Sequence, residues 1–190
     1  KKKKIIALGV TGMLPALVIL DKNGKVIRNS IQQSDGRTGK QIGQLFNYKI
    51  QKWFVKKTKC GVNQQLIAPK LLWLKQNEKN NFKKIHTIFG SYDFINFKLT
   101  GKYSIEHNWA LESGLMDFKK KKFTSDLVKL GSIKLSMLPK IFPSDHILGN
   151  ISENLSKELS LDKNVKVIAG CADHVVSAFS AGIKKSGDVL

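Results

Sequence analysis

Val165-Lys166-Val167-Ile168-Ala169-Gly170-Cys171-Ala172-Asp173-His174 passes from a β-branched apolar run, through small residues, into the helical spacing Val175, Val176, Ala178, Phe179. A strand feeding a helix in this way is the unit of an α/β sheet. In open α/β sheets ligands bind outside the carboxyl ends of strands, where the following loop and helix N-terminus present polar groups. Asp173 stands at that kind of position, and two compatible roles are open to it. It can be a general base that takes a proton from an attacking hydroxyl, or a helix N-cap, for which aspartate is among the best residues. His174 is next to it, but neighbours on a helix point about 100° apart, which argues against a two-residue catalytic pair.

Outward from that segment, Ile5-Ile6-Ala7-Leu8-Gly9-Val10 is a short apolar run closed by glycine, expected to be a strand buried on both faces. Leu17 to Leu20 and Lys25 to Ile27 flank Asp21-Lys22-Asn23-Gly24, where Asn-Gly signals a tight hairpin turn. From Gly39 to about Lys57, Ile42, Leu45, Phe46, Ile50, Trp53 and Phe54 form one helical stripe. Pro69 suits the first turn of another helix carrying Leu71, Leu72 and Leu74. Short helices are expected at Phe82 to His86, Tyr92 to Leu99 (closed by Gly101), Phe123 to Leu130 and Glu153 to Leu159. A strand is expected at Thr87 to Phe89, a loop or short strand at Ser104 to Ser113, and an extended connection from Leu138 to Ser144. Trp53, Trp73 and Trp109 lie in apolar patterns and are expected in the core.

The 190 residues allow one domain or one and a fraction, and 42% apolar content is too high for a disordered basic tail. No uncharged apolar run approaches the roughly 18–20 residues of a bilayer helix, and the N-terminal run is too short for a signal peptide. Cys60 and Cys171 cannot form a disulfide framework and lack zinc spacing, which suits a reducing, cytoplasmic setting. The 33 Lys+Arg against 14 Asp+Glu leave a net charge of +19, which raises nucleic acid as a partner. Only Arg28 and Arg37 are arginines, however, and base readers lean on arginine. Lys119 to Lys122 reads as a solvated charge run.

Two polar clusters suit a polyhydroxylated ligand as readily as they suit turns: Gln32-Gln33-Ser34-Asp35-Gly36-Arg37 and Asn63-Gln64-Gln65. Gly36-Arg37-Thr38-Gly39-Lys40-Gln41 is not a phosphate loop. Its glycine spacing is short by two residues, and Gln41 stands where a magnesium-binding Ser or Thr belongs. The chain begins at Lys1, with four lysines ahead of its first strand, and ends on Gly187-Asp188-Val189-Leu190, which resembles a strand just starting. It is therefore expected to be a fragment.

Five segments occur in an informative order: Ala7 to Met13; Ser30 to Arg37; Ala68-Pro69-Lys70-Leu71-Leu72-Trp73-Leu74; Gly90 to Phe94 with Lys98-Leu99-Thr100-Gly101; and Ala169 to Asp173. Together they resemble the amino-terminal domain of the FGGY carbohydrate kinases, nearest to xylulokinase-like members. The resemblance implies an α/β fold of the ribonuclease H-like, actin/hexokinase type, a mixed sheet flanked by helices and here incomplete at both ends. It implies transfer of the γ-phosphate of ATP, with Mg2+, to a hydroxyl of a sugar or polyol, in a cytoplasmic enzyme that is a homodimer when full-length. The family's general base falls on Asp173, and its sugar contacts on Met13-Leu14-Pro15, Gln33 and Gln65, with Asp35 as a further hydroxyl or structural contact. Xylulokinases typically carry Gln-Met-His-Gly where this chain has Met13-Leu14-Pro15-Ala16, so the resemblance leaves the sugar unassigned. The opening phosphate-loop strands and the carboxyl-terminal ATP domain of the family have no counterpart in the 190 residues.

Overall fold

A computed structural model describes residues 4–189. Lys1 to Lys3 of the basic run and Leu190 lie outside the described residues. In chain order the elements are β1 (Ala7–Gly12), β2 (Val18–Leu20), a 3-10 turn (Gly36–Thr38), α1 (Gly39–Leu45), α2 (Tyr48–Thr58), α3 (Ile67–Asn77), α4 (Lys79–Lys84) and β3 (Thr87–Phe89). There follow α5 (Ser91–Thr100), β4 (Ile105–Glu106), α6 (His107–Glu112), β5 (Met116–Asp117), β6 (Lys122–Phe123), α7 (Ser125–Leu130) and β7 (Ile141–Phe142). The last are β8 (Ile147–Asn150), α8 (Glu153–Glu158), β9 (Lys166–Ala172) and α9 (Asp173–Ser180).

The sheet that organises the molecule runs β1-β9-β8, with β1 parallel to β9 and β8 antiparallel to it. Pairing of β1 with β9 shifts register between Gly9 and Thr11, so Val10 faces an extra residue on β9. That residue is Gly170, whose φ of +77° only glycine adopts cheaply; a Cβ there would lie 1.9 Å from the Val10 carbonyl oxygen. Below the sheet, β2 and β3 pair antiparallel, and α3, α5 and α6 converge on them. Trp109, Tyr92, Phe89, Leu71 and Leu74 are buried there, each contributing roughly 1.5–3 kcal/mol by leaving water. A smaller cluster of Phe46, Phe54, Leu66 and Leu127 seats α2.

Several expectations are corrected. β1 is not buried on both faces: its residues alternate between exposed and half-buried, because it is an edge strand with β9 alone beside it among the described residues. The single helix expected from Gly39 breaks at Phe46-Asn47, where the Asn47 side chain accepts from the Ile50 amide 3.0 Å away and starts α2 afresh. Ser104 to Ser113 is mostly helix, since the Glu106 carboxylate takes the free amides of Asn108 and Trp109 and caps α6. Trp53 is exposed, with the Lys57 ammonium 5.4 Å over its ring, so the helix stripe that includes it is only partly core. In the hairpin after β2 the positive φ falls on Gly24 and not on Asn23, which is instead held by the Asp21 carboxylate. Gly187 to Val189 form no strand; Asp188 caps a turn by accepting from the Lys184 and Lys185 amides.

Every described lysine except Lys57 and Lys70 is exposed. The basic excess therefore lies on solvated surface, as charge that costs little to hydrate.

Candidate functional site

The parallel register pairs Gly12 with Ala172. The segment after β1, opening at Met13, and the first residue of α9, Asp173, therefore leave the sheet side by side at the carboxyl ends of adjacent strands. A crevice at this end of a sheet is where α/β folds bind ligands.

Asp173 is half-buried and is the first residue of α9. The N-cap position falls on Ala172, so the carboxylate does not serve as that cap. It accepts from the His174 amide at 2.7 Å instead. A negative charge in the first turn is also favoured by the helix dipole. The His174 ring turns back toward its neighbour: Nδ1 lies 3.6 Å from an Asp173 oxygen, closer than helical spacing alone suggests.

Three side chains from three helices tie down the loop after β1. Ser91 of α5 donates to the Met13 carbonyl (2.9 Å), Lys70 of α3 to Pro15 (2.8 Å), and Trp109 Nε1 of α6 to Ala16 (3.0 Å). The Leu14-Pro15 peptide is cis. Met13 is exposed and lines a cavity of about 640 Å³ with Thr11, Asn29, Gln32 and Ser91. Leu14, by contrast, is 2% exposed and belongs to the core, so of Met13, Leu14 and Pro15 only Met13 reaches the cavity. Gln33 is half-buried, while Gln32 beside it lines the cavity. Asp35 holds Arg37 through both carboxylate oxygens, at 2.8 and 2.7 Å, and this pairing keeps its carboxyl below the usual range. Arg37 in turn stacks on Trp73 at 4.7 Å. Asp35 thus serves a structural contact here. Gln65 lines a different cavity, about 280 Å³, with Asn63, Cys60 and Glu112.

The residues that sequence reasoning passed over act at long range. Lys70 has no exposed surface. Its place on the stripe Ile67, Lys70, Leu71, Leu74 was a visible signal, since a lysine on a buried helix face needs a partner. Burial holds its ammonium down, to about 8 from the ordinary 10.5, with Asp35 pulling weakly the other way. The unfolded chain keeps this proton up to about pH 10.5 and the folded chain only to about 8, so stability rises with pH across that window. Lys70→Met abolishes that rise. In urea unfolding at pH 7 and pH 10, the wild type is expected to gain on the order of 2 kcal/mol relative to the variant; parallel pH profiles would contradict this. The second cluster centres on Glu106, fully buried, which accepts from the Tyr92 hydroxyl (2.7 Å), Asn108 Nδ2 (2.9 Å) and the Ser144 hydroxyl (2.7 Å). Asn108 also reaches the Cys171 sulfur at 3.3 Å, bracing β9 two residues before Asp173. Burial and the facing carboxylates push the Tyr92 hydroxyl far up, so it remains a donor.

Among the described residues no three His, Cys, Asp or Glu side chains gather as metal ligands. No described helix is long and apolar enough to cross a membrane.

A mixed sheet with β9 at its centre thus carries an acid at the head of the helix that follows that strand. The sequence profile of the FGGY family of carbohydrate kinases, N-terminal domain, matches residues 1–180, and the chain belongs to that family. Xylulose kinase from Rhodospirillum rubrum superposes with a TM-score of 0.94 at 42% identity, covering 97% of this chain and 38% of that one. Gluconate kinase from Lactobacillus acidophilus superposes at 0.87 with 25% identity, over 93% of this chain and 36% of that one. Xylulose kinase from Bacillus subtilis (strain 168) is 29% identical over 188 residues, 99% of this chain and 38% of its own length. The chain thus spans well under half of the relatives it matches.

Proposed function

We propose that residues 1–190 are the sugar-binding part of the amino-terminal domain of a two-domain kinase, one that transfers the γ-phosphate of ATP to a hydroxyl of a pentulose or related sugar or polyol. The observation that carries this reading is the Gly12–Ala172 register, which sets the Met13 loop beside Asp173. In the proposed step the substrate hydroxyl oxygen bonds to the γ-phosphorus, the bond from that phosphorus to the β,γ-bridging oxygen breaks, ADP leaves, and Asp173 accepts the hydroxyl proton. Met13 lines the cavity beside this loop, and the three tethers hold the loop without reorganisation when ligand arrives. ATP and Mg2+ are proposed from the family alone, with most of their site outside this chain.

Isothermal titration of the full-length enzyme with xylulose, ribulose, xylitol, gluconate and glycerol tests the substrate class. One pentulose is expected to bind at least tenfold more tightly than glycerol. The 190-residue chain by itself is expected to show no ATP-dependent phosphorylation in a coupled ADP-release assay. Turnover by the purified chain, or no binding of any polyol by the full-length enzyme, would contradict the proposal.

A further inference from the structure

Glu112 ends α6 half-buried, and its Oε1 lies 3.2 Å from His174 Nε2. The other ring nitrogen of His174 faces Asp173 at 3.6 Å. The imidazole therefore lies between two carboxylates from two different helices, within ion-pair distance of each. Burial pushes the Glu112 carboxyl up, His174 pulls it back, and Asp173 and Glu106 push it up again. The same Glu112 lines the 280 Å³ cavity that contains Gln65. Around His174, α9 packs on β1 and β9. β1 offers no titratable side chain, β9 offers Cys171 at this end, and α6 offers Glu112.

We infer that His174 is a positioning residue: anchored on Glu112 through Nε2, its ring stands against the Asp173 carboxylate and fixes the orientation from which that carboxylate receives the substrate proton. This rests on the reading of Asp173 as the base. Glu112 is the anchor of the bridge, which links Asp173 to the wall of the Gln65 cavity. Without the ring between them, Glu112 would lose its partner and the Asp173 side chain would be free to turn into water.

The test uses the full-length enzyme with its preferred sugar. His174→Asn and Glu112→Gln are each expected to lower kcat about tenfold, with the sugar KM changed less than threefold. The double variant is expected to lose no more than either single one, because the bridge acts as a unit. His174→Gln keeps a polar side chain that can reach Glu112 and is expected to recover part of the loss. Because His174 is exposed and Glu112 only half-buried, melting temperatures should stay within a few degrees of wild type, which separates positioning from unfolding. Unchanged kcat, additive losses, or a raised KM at constant kcat would overturn the inference. Asp173→Asn runs alongside: if that variant stays active, the base reading itself fails. An inactive Asp173→Asn with a fully active His174→Asn removes the bridge alone.

Discussion

Gly170→Ala is expected to destabilise the chain by about 4 kcal/mol, enough to unfold a domain of ordinary marginal stability. Two costs combine. The φ of +77° costs an L residue about 1 kcal/mol. The larger cost is steric: the new Cβ would sit 1.9 Å from the Val10 carbonyl oxygen, and the atom it meets is backbone of the neighbouring strand, which cannot rotate away. β1 and β9 would have to separate at the bulge. Gly101→Ala is the control, since Gly101 has a similar φ of +71° with nothing within 4 Å of a Cβ, and it is expected to lose only about 1 kcal/mol. Urea unfolding followed by circular dichroism measures both. Equal losses for the two variants would show that the close approach to Val10 carries no energy. A further consequence reaches the site, because the bulge sets the register that brings Ala172 beside Gly12.

Asp173→Asn is expected to lower kcat of the full-length enzyme by a factor of about 10²–10⁴, the usual range for loss of a positioned base. The asparagine amide keeps the size of the side chain and can still accept a hydrogen bond, so sugar KM should change little. Stability should also stay within about 0.5 kcal/mol, because Asp173 is half-exposed and does not cap α9. A large stability loss with unimpaired kcat would instead assign the residue to the helix end. Steady-state kinetics and a thermal melt on the same preparation separate these outcomes.

Much of the secondary structure was readable because local signals and tertiary packing agree. Thr87 to Phe89 is a strand with the bounds expected, Gly101 closes α5, and Pro69 lies in the first turn of α3. Where they disagree, one side chain decided the outcome. Asn47 split a continuous apolar stripe into two helices, and Glu106 turned a polar stretch into a capped helix; in each case a carboxamide or carboxylate satisfied amides that a helix start leaves free. The strand at Ala7 reads as buried from its composition, but composition carries no information on how many strands lie beside it.

The candidate site divides in the same way. The place of Asp173 at the head of α9 was legible because strand, small-residue turn and helix are contiguous in sequence, whereas Met13 and Gln65 were expected through resemblance alone and line two different cavities. Lys70, Ser91 and Trp109, which hold the loop after Met13, lie 55 to 93 residues from the carbonyls they bind. No local periodicity reports a hydrogen bond across that separation. The same holds for Glu112, which meets His174 because α6 and α9 end near each other in space.

From the chain's order of residues alone follow the α/β class, the family resemblance, the acid at the head of the last helix and the surface character of the lysine excess, since each is written in short-range pattern or residue chemistry. Tertiary structure alone decided that Leu14 is core while Met13 faces a cavity, that Asp35 is occupied by Arg37, and that the His174 ring lies between Asp173 and Glu112. The physical reason is that side-chain exposure, pairing and field depend on which surfaces the packed helices cover, and strand register together with long-range hydrogen bonds sets that arrangement.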